Sequence, residues 1–110
     1  MGAVTYTVIC KIDFETMEQE WLDWLQGNNE GGGHIDEVIA CGAQSAEIIK
    51  RDKDDPATPG TTYEIRYRFE NRAALDDYLE KHAQRLREEG LEKFPVADGF
   101  HYRRVIGEML

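Results

Sequence analysis

The amino-acid sequence predicts an α+β domain: a four-stranded antiparallel sheet with helices on one face, its elements running strand, helix, strand, strand, helix, strand. Four strand-like segments, two helical stripes and a short solvated loop between the middle strands predict it. Three of the strand-like segments alternate with period 2, the signature of a half-buried strand. The helical segments repeat apolar residues at i, i+4 and i+7 or closely similar spacings, which gives each one face to bury against such a sheet.

In residues 5–13, Tyr6, Val8, Cys10 and Ile12 share one face and Thr5, Thr7, Ile9 and Lys11 the other, so the first strand is expected there. A helix is expected over residues 15–26. Asp13 or Thr16 is placed to cap it, Glu15, Glu18 and Glu20 suit the positive end of its dipole, and Met17, Trp21, Trp24 and Leu25 form one apolar stripe. Residues 27–33 break regular structure. A short extra helix then starts at His34, with Ile35, Val38 and Ile39 on one side and Gly42 just past its end.

Residues 43–52 and 61–70 read as two strands. Residues 53–60 hold two prolines, a glycine and adjacent aspartates, a solvated loop that suits antiparallel neighbours. In the second of these strands Tyr63, Ile65, Tyr67 and Phe69 share one face, and Glu64, Arg66 and Arg68 the other. Asn71 is placed to cap the longest helix, residues 72–89, whose apolar face is Leu75, Tyr78, Leu79, His82 and Leu86. Gly90 is its expected stop, with room for one further turn before Pro95. In the last strand, residues 99–107, Phe100, Tyr102, Arg104 and Ile106 alternate against His101, Arg103 and Val105. This order is the ferredoxin-like βαββαβ arrangement with one short extra helix after the first. Residues 1–110 are expected to form one domain.

Composition narrows the function classes. No apolar run approaches the roughly 20 residues that span a bilayer, and residues 1–11 lack a basic region followed by an apolar block, so a cytoplasmic location is the default expectation. The net charge of -9 repels phosphate backbones and anionic lipids, which argues against nucleic-acid and membrane-surface partners. Cys10 and Cys41 belong to no CxxC pair and read as small buried hydrophobes in a reducing compartment. The glycine triplet Gly31-Gly32-Gly33 lacks the Lys-Ser/Thr ending of a phosphate loop. No metal site or cofactor is expected.

Several segments together resemble a known family: Trp21 and Trp24 on the first helix, His34-Ile35-Asp36-Glu37-Val38 after the glycines, and Thr62-Tyr63 on a strand. Tyr78-Leu79, His82-Ala83 and Leu86-Arg87 on the long helix, Phe94, and Tyr102-Arg103-Arg104-Val105 complete the set. Over nearly the whole chain they look like a bacterial domain-of-unknown-function family within the dimeric α+β barrel superfamily. The resemblance implies a ferredoxin-like protomer and a homodimer whose two sheets face each other. It brings no activity. Antibiotic-biosynthesis monooxygenases and haem-degrading enzymes are similar in fold and use a pocket between sheet and helices, an analogy at the level of fold. The chain departs from the family pattern at Asp36 and Gln84, where the family carries prolines, so the long helix is expected to run straighter. The glycine triplet looks like a local insertion beside His34.

The candidate ligand-pocket residues are Trp21, Trp24, His34, Tyr63, Tyr67 and His82. Indoles and phenols offer area with one polar handle, and His34 has Glu37 one turn away as an acid–base or ligand partner. Each also has a bland reading: helix start for His34, aromatic core for the tryptophans and tyrosines, satisfied core histidine for His82. Arg66, Arg68, Arg103 and Arg104 either bind an anion at the dimer face or pair across strands with Glu47, Glu64 or Glu70. Three functions stand open: a homodimeric barrel binding a small, largely apolar ligand between helices and sheet; a cofactor-free or haem-linked monooxygenase; and an ACT-like regulatory ligand-binding domain.

Overall fold

The computed structural model describes residues 2–28 and 31–110. In chain order the elements are β1 (Val4–Ile12), a 3-10 turn (Glu15–Met17), α1 (Glu18–Gln26), β2 (Gly27–Asn28), β3 (Gly31–Gly32) and α2 (His34–Ala40). They continue with β4 (Ser45–Lys50), β5 (Thr61–Phe69), α3 (Arg72–Lys81), α4 (Ala83–Lys93), a second 3-10 turn (Val96–Asp98) and β6 (Phe100–Glu108). The main sheet has the order β4-β5-β1-β6, every pair antiparallel, the ferredoxin-like arrangement that the alternating strands predict.

Register sorts the two sheet faces. β1 runs against β5 from Val4 opposite Phe69 to Ile12 opposite Thr61, and against β6 from Val4 opposite Glu108 to Ile12 opposite Phe100. Cross-strand partners share a face, so Tyr6, Ile65, Tyr67, Tyr102 and Arg104 all point to the helical side. Thr7, Ile9, Glu64, Arg66, Arg103 and Val105 point to the open side. On the helical side lies one apolar cluster, in which Cys10, Ile12, Phe69, Leu75 and Phe100 have no exposed area.

Neither Asp13 nor Thr16 caps the first helix: Phe14 and Met17 stand at the N-caps of the 3-10 turn and α1, with no side-chain cap bond. The helices otherwise follow the sequence with two corrections. The expected single helix over residues 72–89 is two helices. His82 has φ -128° and ψ -32°, outside helical geometry, yet its N–H still donates to the Tyr78 carbonyl and its own carbonyl accepts from Leu86. The break rotates the second segment so that Ala83 is buried while His82 is half-buried. It falls just before Gln84, so the missing proline does not keep the helix straight. Nor does Gly90 stop it: α4 runs on to Lys93, and Gly90 is a buried contact where a Cβ would lie 3.1 Å from the Trp24 indole. Asn71 caps α3 as predicted, its side chain accepting from the Ala74 amide at 2.9 Å.

Residues 27–28 and 31–32, expected to lie outside regular structure, are short strands. β2 and β3 pair through Gly27 with Gly32 and Asn28 with Gly31, while residues 29 and 30 lie outside the described residues. A Cβ at Gly33 would collide with the Leu25 carbonyl and the Gly27 amide, so glycine lets this excursion fold back against the end of α1. That contact brings His34 beside Trp24. Among the described residues, no helix is long and apolar enough to cross a membrane.

Candidate functional site

The helical side of the sheet is not completely filled. A cavity of about 50 Å³ lies between the inward residues of β1, β5 and β6 and helices α1 to α4. Its floor is aromatic and aliphatic: Tyr6, Trp21, Leu25, Tyr67, Tyr78 and Leu86 are buried around it. Its rim is made by His34, Trp24, Arg87, Gly90 and Leu91, of which Arg87 and Leu91 are exposed. The volume is about a third of a void of about 150 Å³ that holds a benzene. It accommodates a few waters, or the head of a larger molecule that extends past the rim.

Four of the six candidate residues from the sequence line this space: Trp21, Trp24, His34 and Tyr67. Trp21 is only 1% exposed, so it is at once core and cavity wall. Tyr63 and His82 lie outside the lining. Tyr63 packs its ring against Trp21, with centroids 5.3 Å apart, and donates its hydroxyl to the Glu18 carboxylate at 2.8 Å, which turns it toward the start of α1. His82 sits at the α3–α4 junction beside Tyr78.

His34 is stacked on Trp24, with ring centroids 4.3 Å apart and planes 20° from parallel. Burial removes water from the imidazole and lowers its pKa to about 4; the Arg104 charge pushes the same way, while Glu89 opposes it. The ring is therefore neutral at pH 7. Glu37, its expected partner, faces away, exposed and 3.9 Å from Arg85. The proposed acid–base pair is not assembled.

The sequence reading missed two arginines of this space. Arg104, expected at the dimer face with Arg66, Arg68 and Arg103, is turned inward by its register opposite Val8. Its Nε is buried without a hydrogen-bond partner, as is the indole N–H of Trp21. An orphaned buried donor costs about 1–3 kcal/mol. The indole N–H is near enough to bias the Tyr102 phenol, whose pKa burial raises, but does not reach hydrogen-bonding geometry. Arg87 donates to the Tyr6 hydroxyl at 3.0 Å. Among the described residues, neither arginine has a carboxylate within ion-pair distance, a property shared with Arg68 and Arg103 of the sheet, whereas Arg51, Arg66, Arg72 and Arg85 are paired. The alternation of β6 already placed Arg104 with Phe100 and Tyr102; Arg87 had no comparable signal. Among the described residues, no group of three or more His, Cys, Asp or Glu side chains converges to hold a metal ion.

Fold and site together define a ferredoxin-like α+β protein with an aromatic, arginine-edged cavity between sheet and helices. The chain belongs to the family described as Domain of unknown function (DUF4286), which matches residues 3–104. Among curated proteins none matches it. It is similar in structure to a dimeric ferredoxin-like protein from an uncultured marine organism, with a TM-score of 0.67 and 10% identity over 100% of this chain and 97% of that one. It is also similar to a Bacillus cereus protein described as an antibiotic biosynthesis monooxygenase, with a TM-score of 0.61 and 12% identity over 99% and 94% of the two chains. A de novo designed protein, Foldit4, shares the architecture at a TM-score of 0.55 and 10% identity, over 98% of this chain and 99% of its own. At such identities the likeness is one of fold, and fold alone assigns no activity.

Proposed function

We propose that residues 1–110 act as one domain that dimerises through its open sheet face and binds a small, largely apolar ligand in the cavity beneath Trp21 and Trp24. The observation that carries the reading is unfilled space on the helical side of the sheet, walled by aromatic rings and lined by two buried donors without partners. Interiors ordinarily close such voids, and buried donors are ordinarily paired. A thermal-shift screen with aromatic, haem and lipid-like compounds tests it. Stabilisation by one class, lost in Trp21→Ala, is the expected result; no shift with any class overturns the reading.

The dimer rests on the open face. Thr7 and Ile9 at its centre are 8% and 9% exposed, and the neighbouring Val105 is exposed and apolar. Glu64, Arg66 and Arg103 flank them, so charges of both signs surround a neutral centre, a pattern that a two-fold axis can make self-complementary. The marine neighbour described as dimeric supports the same occupant. Sedimentation equilibrium should give twice the chain mass for the native protein and the single mass for a folded Val105→Lys variant. A native monomer at micromolar concentration overturns this part. Two free thiols, Cys10 buried and Cys41 half-buried, support a reducing, cytoplasmic setting.

A further inference from the structure

We propose that the ligand is an organic anion whose carboxylate is held by Arg104 and Arg87, with its apolar body directed past Leu91; this rests on the ligand-binding reading of the cavity and names the chemical class it selects. In an acidic chain of net charge -9, two guanidinium groups border one small cavity without a carboxylate among the described residues to neutralise them. The charge of Arg104 reaches His34, Tyr78 and Tyr102, three groups of the cavity and its wall, with Glu89 opposing it at His34. The remaining polar atoms are donors or able to donate. Arg104 Nε and Trp21 Nε1 have no partner, and the Tyr6 hydroxyl, which accepts from Arg87, retains its own proton for a ligand.

Two guanidinium groups and an indole N–H can only donate, while the phenols and the neutral imidazole beside them can do either, so the set favours a charged acceptor. A carboxylate offers two oxygens with about four lone-pair sites, which matches this set and the planar guanidinium fork. The volume of about 50 Å³ fits a carboxylate and its first carbon or two and excludes a ring from the floor. The body therefore lies against the rim formed by Trp24, His34 and Leu91. Neutral His34 suits an apolar body there better than an imidazolium would.

The test compares isosteric pairs: phenylacetate with phenylacetamide and hexanoate with hexanamide, by isothermal titration and tryptophan fluorescence on the full chain. Because charge-assisted hydrogen bonds are about twice as strong as neutral ones, each acid should bind about tenfold or more tightly than its amide. Arg104→Met should erase that ratio, and Arg104→Lys should restore part of it. Arg87 is exposed, so Arg87→Met gives a second variant if Arg104→Met does not fold, and it should narrow the ratio. Acid and amide binding equally would overturn the anion site while leaving the apolar pocket standing. Binding of neither pair would overturn both.

Discussion

Lowering the pH from about 7 to about 4 tests the packing of the cavity rim through one proton. His34 is stacked on Trp24 and its pKa is lowered by burial to about 4, against 6.5 for the free side chain. Between those two values the unfolded chain binds more protons than the folded one. The stability that neutral His34 contributes is therefore fully present above pH 6.5 and is lost as pH falls toward 4. A shift of that size corresponds to about 3 kcal/mol at about 1.36 kcal/mol for each pH unit. A protonated ring over the indole face would gain up to about 2 kcal/mol of cation–π attraction, so the net loss falls between about 1 and about 3 kcal/mol. Urea titrations of the native chain and of His34→Gln at both pH values isolate the effect, because the carboxylates other than Glu89, which faces His34, are a common background. The native chain should lose that much more than the variant. The Hε1 resonance of His34 gives the midpoint directly, and a midpoint at or above pH 6 refutes the argument.

Other consequences are as direct. Gly90→Val places branched carbons where even a Cβ lies 3.1 Å from the Trp24 indole, and overpacking of this kind costs about 1–3 kcal/mol, read as a lower urea midpoint at unchanged slope. Asn71→Ala removes the acceptor for the Ala74 amide and should cost about 1 kcal/mol, most of it restored by Asn71→Ser. Leu75→Ala empties a site with no exposed area and should cost about 2–5 kcal/mol. The two thiols should differ in alkylation rate at pH 8: burial pushes Cys10 up to about 12, so in the folded chain Cys41 reacts first and Cys10 only after unfolding.

What the sequence made legible depended on the range of the interaction. Each strand was readable because alternation is local: Tyr63, Ile65, Tyr67 and Phe69 need only their own spacing to declare a buried face. The Asn71 cap was readable for the same reason. The break at His82 was not, because no proline or glycine occupies the position and the bend follows from how Ala83 and Leu86 meet the core. Gly90 misled because a glycine near a helix end ordinarily stops it, whereas here it is small to admit Trp24 from another helix. Trp21, Trp24, His34 and Tyr67 were brought together as the aromatic clustering suggested, while Tyr63 was drawn away by a hydrogen bond to Glu18, 45 positions distant in sequence. Long-range partners of that kind have no local signature.

Arg104 separates what the fold requires from what it does not. Inward apolar residues and suitable turns are what this fold asks of its strands. In β6 the inward series begins with Phe100 and Tyr102, and an aliphatic residue next in line would continue the core beside Val8. The chain instead places there a guanidinium whose buried Nε has no partner, at a cost that packing does not repay. A residue that violates the local pattern, sits inside the fold and lacks a partner marks a place where stability yields to another demand. Arg104→Leu should therefore raise the unfolding free energy, by about 1–3 kcal/mol for removing one orphaned donor, while abolishing preference for an anion. If instead it destabilises the chain, Arg104 is structural and the cavity has lost its strongest claim to a ligand.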